Sequence, residues 1–119
     1  LPCGVYDPEQ ARIEAESCYR IIERYHASED EVFLARCLVV KEERADLVKH
    51  HIDVLWHDYF KPEHVEKDPD LHDTCWTASK AASAVKQGVD LEAAKNLLAL
   101  IDQVDEMWKG SGGPGKTRM

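Results

Sequence analysis

Two features of this chain carry residues that could do chemistry. The first is its opening, Leu1-Pro2-Cys3-Gly4-Val5-Tyr6-Asp7-Pro8. Pro2 and Gly4 flank a cysteine and impose a tight, non-helical path. Cys3 therefore stands outside any helix, where a thiolate could reach a metal. Cys18, Cys37 and Cys75 lie inside helical patterns instead and read as small buried hydrophobes. The second feature is a pair of charges on apolar faces. Glu14 is four before Cys18 and seven before Ile21, and Arg44 is seven after Cys37 and four before Val48. A lone buried charge is costly, so each needs a partner: the other, or a polar site at one end of the fold. They either snorkel from the stripe's edge or orient a metal ligand. His50, His57 and His64 recur every seven residues with His51 and His72 nearby, but Pro62 interrupts any helical zinc site they could form.

Four helices are needed to position these groups, and start and stop signals mark each one. Asp7-Pro8 opens the first, whose stripe is Ala11, Cys18, Ile21, Ile22 and Tyr25. Ser28-Glu29-Asp30-Glu31 reads as a capping box for the second. Its stripe runs through Leu34, Cys37, Leu38, Lys41, Ala45, Val48, Ile52, Leu55 and Tyr59, and Lys61-Pro62 ends it. Glu63 to Lys67 reads as a loop or single turn. Asp68-Pro69 starts the third helix and Gly88 stops it, and Asp90 caps a fourth that ends at Gly110. Strand signals are absent. The fold class predicted is all-α: an antiparallel up-and-down four-helix bundle over residues 1–109, with an irregular N-terminal hook at residues 1–6. The glycine-rich stretch 110–119 is expected to be a flexible tail.

Composition narrows the function. The 119 residues are 44% hydrophobic and 32% charged, with a net charge of −8. That suits one folded domain. No basic patch suggests nucleic acid, and no apolar run approaches the roughly 20 residues that cross a bilayer.

With these residues in place, the chain resembles the nickel superoxide dismutases. That family opens with a His-Cys-x-x-Pro-Cys-Gly-x-Tyr pattern, matched here by Pro2-Cys3-Gly4-Val5-Tyr6. Gln10 to Ser17, Lys41-Glu42 with Arg44-Ala45, Lys49-His50-His51, Val54-Leu55-Trp56 and Asp58 to Pro62 continue the likeness, which thins after Pro62. The pattern's His and first Cys fall upstream of Leu1. The resemblance implies superoxide as substrate, disproportionated to oxygen and hydrogen peroxide by nickel cycling between Ni(II) and Ni(III). Cys3 would be one metal ligand, joined by the upstream His and Cys. Tyr6 and Tyr59 would line the approach, Glu14 and Arg44 would hold the axial imidazole, and Lys61 would attract the anion. It further implies a cis Leu1–Pro2 bond, a homohexamer, a maturation protease that frees the N-terminus, and a cytoplasmic location. Two other readings stand beside it: a non-catalytic bundle that kept the scaffold without the hook, and a nickel-binding protein for storage or delivery.

Overall fold

The structure is a computed structural model and describes residues 1–118. Helix α1 spans Glu9–His26, α2 Glu31–Val54, α3 Pro62–Lys67, α4 Leu71–Gln87, α5 Leu91–Gly110 and α6 Gly113–Thr117. The four long helices, α1, α2, α4 and α5, form the bundle, with α1 against α2 and α5, and α4 against the same two. The all-helical bundle predicted from the stripes is the fold observed. Small residues line the core faces of these helices: Ala11, Ala15, Ala45, Ala78, Ala82 and Ala94 are buried. Ile22, Val48, Ile52, Leu97, Ile101 and Trp108 fill the space between them.

One polar group belongs to this core. Lys41 lies on the apolar stripe of α2 and is buried. Its ammonium donates to the carbonyls of Val85 and Lys86 at 2.8 and 2.7 Å. These belong to the last turn of α4, whose carbonyls have no partner within the helix and carry the negative end of its dipole. A cation reaching in from a neighbouring helix satisfies both needs, which explains a lysine in the stripe.

Several local details differ from the sequence reading. Asp30, not Ser28, caps α2, accepting from the Val32 and Phe33 amides. Ser28 bonds only the Asp30 amide, two residues on, a local turn that delays the helix. Of the loop or single turn expected at residues 63–67, the helical turn is found, slightly extended because Pro62 supplies the first position of a short helix. Asp68-Pro69 precedes α4 by a turn, with the Asp68 carbonyl accepting from the Leu71 amide at 3.1 Å. Leu38, placed on the buried stripe of α2, is 41% exposed.

The two ends of the chain differ more. No cis peptide bond occurs among the described residues, so the Leu1–Pro2 bond is trans. The Gly4 amide donates to the Leu1 carbonyl at 3.2 Å, closing a turn with Pro2 at its second position, where a trans proline belongs. The stretch after Gly110, expected to lack regular structure, forms α6. Gly112 turns the chain with φ of +82°, a conformation that favours glycine. Gly113 then lies on the indole of Trp108, so close that a Cβ there would fall 2.2 Å from a ring carbon. Met119 lies outside the described residues.

Candidate active site at the N-terminal hook

The site is built where α2 ends. Beyond Val54 the helix does not stop but widens into a π turn over Leu55–Tyr59, closed by the Phe60 amide on the Leu55 carbonyl at 2.9 Å. The wider turn brings Tyr59 and Phe60 inward together, and both are buried. Such turns are frequent at functional sites. Nothing in the sequence signals it, since Leu55 and Tyr59 also fit ordinary helical spacing.

Tyr59 is the hub. Tyr6 of the hook meets it edge-on, with ring centroids 5.5 Å apart, and His64 of α3 stacks on it at 5.6 Å. Its hydroxyl shares a 2.7 Å hydrogen bond with the Ser111 hydroxyl, which in turn donates to the Trp108 carbonyl at 2.6 Å. Tyr6 is partly buried, and its hydroxyl accepts from the Leu1 nitrogen at 2.5 Å. Desolvation, then the Asp58 carboxylate and the Cys3 sulfur, push the Tyr6 phenol above its ordinary value, so it stays protonated near neutral pH.

Lys61 follows the π turn, and its amide donates to His64 Nδ1 at 2.9 Å. Burial first, and the nearby Lys116 ammonium second, hold the His64 imidazole below its usual value, which keeps it neutral and able to accept that bond. Together Gly4, Tyr6, Asp58, Tyr59, Lys61 and His64, with Lys116 and Thr117 from the chain's far end, line an open cleft of about 260 Å³. Cys3 is exposed and unpaired beside it. The structure thus brings Cys3, Tyr6, Tyr59 and Lys61 to one end of the bundle. Sequence reasoning missed His64, Ser111 and Lys116, whose roles depend on folding that no motif announces.

Glu14 and Arg44 do not line this cleft. They pair with each other across α1 and α2 at 3.2 Å, the carboxylate 17% and the guanidinium 36% exposed. Arg44 lies about 20 Å along the helix from Tyr59. Its Nε is buried and has no partner, a rare and costly condition for a charged donor. Among the described residues no three His, Cys, Asp or Glu side chains converge on a metal-sized site. Cys18 and Cys75 are buried, and burial pushes their thiols up to about 11 and about 12.

Residues 1–111 match the family described as nickel-containing superoxide dismutase. The chain is 52% identical over 108 residues to the nickel superoxide dismutase of Streptomyces seoulensis, covering 91% of this chain and 82% of that protein. The counterpart from Streptomyces coelicolor is 49% identical over the same shares. A crystal structure of a nickel-containing superoxide dismutase, with nickel ligation corresponding to the oxidised state, superposes with a TM-score of 0.92 at 50% identity, covering 94% of this chain and 96% of that one.

Proposed function

The chain belongs to the nickel-containing superoxide dismutase family, and from that membership we propose how its own side chains serve the reaction. The enzyme converts two superoxide ions and two protons into oxygen and hydrogen peroxide, with nickel as its cofactor. When bound, nickel supplies the one-electron redox couple, which thiolate ligation brings within reach of superoxide. Two observations fit the residues present to that group. Cys3 offers an exposed, unpaired sulfur on a tight turn. Arg44 Nε is a buried donor without an acceptor, beside the Glu14 carboxylate.

On this reading Cys3 holds the metal together with the His and Cys that the family pattern places upstream of Leu1. The Glu14–Arg44 pair would orient the imidazole of that segment, a role supported by the buried Arg44 Nε that has no acceptor. Tyr6 and Tyr59 narrow the approach with two phenols, and Tyr6 keeps a proton available for the reduced oxygen species. Lys61 draws the anion toward a protein whose net charge of −8 repels it. The observation that carries this assignment is the Tyr6–Tyr59 ring pair, set in the same cleft as Lys61 and next to Cys3.

The test is Tyr6→Phe and Tyr59→Phe in the nickel-loaded enzyme. Each is expected to keep its nickel and lose about tenfold in turnover, the worth of one hydrogen bond formed to the reacting species. Full turnover with full nickel would make the pair mere packing. Nickel retention without any dismutation in the parent chain would favour the nickel-carrying reading instead.

The assembly proposed is a homohexamer. Val32 is 71% and Val39 59% exposed on one end of α2, and Ile13 is 48% exposed on α1 near the hook. Apolar surface of this kind suits subunit contacts. Mass photometry is expected to find a species of about six times 13.5 kDa; a monomer throughout would remove that part of the reading. A protease that frees the metal-binding amine and a cytoplasmic location complete the proposal. Among the described residues no helix is long and apolar enough to cross a membrane.

A further inference from the structure

The family match ends at Ser111, yet the residues after it reach back to the hook. Gly113 lies flat on Trp108. The Thr117 hydroxyl donates to the Tyr6 carbonyl at 2.8 Å, and Arg118 Nε pairs with the Asp7 carboxylate at 2.6 Å. Between these anchors, Lys116 is exposed and holds its ammonium 5.8 Å from the centre of the Tyr59 ring, on the rim of the cleft. Asp58 and Glu63 line the same cleft, so without this lysine Lys61 is the one lysine facing two carboxylates.

We propose that the segment after Ser111 is a clasp over the mouth of the site, and that Lys116 is a second steering cation for superoxide. The inference rests on the assignment of the hook cleft as the place of reaction. A small anion approaching an acidic protein responds to local potential, and a lysine on a concave rim is well placed to supply it. The clasp fixes where that charge sits, because Thr117 and Arg118 tie its end to Tyr6 and Asp7. Gly113 is what lets it dock: any side chain there would collide with Trp108.

The experiment measures kcat/KM of the nickel-loaded enzyme at low and high ionic strength. Lys116→Gln is expected to lose about threefold at low salt, with the loss fading as salt rises. Lys116→Arg should keep the wild-type value. Lys95→Gln removes the same charge from the other end of α5, about 20 Å from Trp108, and should change nothing. Gly113→Ala should undock the clasp. It should lose as much as Lys116→Gln, be indifferent to adding that second change, and show faster hydrogen exchange at residues 4–7 in the nickel-free protein. Lys116→Gln alone should leave that exchange unaltered. The proposal is overturned by a Lys116→Gln enzyme as fast as wild type at low salt, by a loss that salt does not diminish, or by a Lys116→Gln effect that survives in full on the Gly113→Ala background. Hydrogen exchange at the hook that Gly113→Ala leaves unmoved overturns the clasp. If Tyr6→Phe and Tyr59→Phe leave turnover intact while Lys116→Gln lowers it, the tyrosine assignment fails and the steering one stands.

Discussion

Cys3→Ser is expected to abolish nickel retention and, with it, superoxide turnover, while leaving the fold untouched. The side chain is exposed and unpaired, so its sulfur contributes nothing to the core. Surface replacements of this kind shift stability by less than about 0.5 kcal/mol. What changes is the donor. A serine hydroxyl is a hard, neutral ligand that keeps its proton at neutral pH, whereas a cysteine thiolate is soft and anionic. Loss of a partner that merely orients a metal ligand costs about 10- to 100-fold, so loss of the ligand itself should exceed a hundredfold. Metal analysis by mass spectrometry alongside the activity assay checks both halves. Cys75→Ala is the counter-experiment: it should lower thermal stability through a small cavity while keeping full nickel. A Cys3→Ser protein that still holds stoichiometric nickel would show that the metal lies elsewhere.

The contrast between these two thiols was legible in the sequence, and the reason is physical. Cys3 sits between Pro2 and Gly4, which no helix accommodates, while Cys75 falls on a helical stripe with Leu71, Ala78, Ala82 and Val85. Periodicity decides burial, and burial decides whether a thiol can ionise. The misplaced charges were legible for the same reason. Glu14 and Arg44 broke a pattern, and the structure shows them paired at 3.2 Å. Other parts were hidden because they depend on contacts distant in sequence. The π turn at Leu55–Tyr59 changes the helical register with residues that any α-helix would accept. The Ser111 bond to Tyr59 joins side chains from two different helices' ends. Helix α6 forms from Gly-Pro-Gly-Lys-Thr, a composition that argues for a loop. Its order comes from Trp108 beneath Gly113 and from the ties of Thr117 and Arg118. Local propensity is a weak prior, and tertiary contact overrides it.

Those contacts converge on Trp108, and Trp108→Ala is expected to have the largest effect on stability. The indole is fully buried. Removing it leaves a cavity beneath Tyr59, whose ring centre is 6.4 Å away, and beneath Gly113 and the Arg118 guanidinium, 4.9 Å from the ring. Truncating a buried aromatic to alanine costs about 3–5 kcal/mol. For a chain of this size that corresponds to a drop in Tm of about 10–20 °C, which calorimetry would register at once. The loss should extend to function, because the Tyr59 ring packs beside the indole, and α6 would lose its floor. Trp108→Phe separates these effects. A phenyl ring keeps part of the surface under Tyr59 and Gly113, and it removes Nε1, which is buried without a hydrogen-bond partner. The relief of that unpaired donor offsets some of the lost packing. The phenylalanine variant should therefore lose about 1–2 kcal/mol and retain most turnover per nickel. If it instead falls as far as the alanine variant, the indole nitrogen makes a bond that matters, and the account of Trp108 as an apolar platform for the site is wrong.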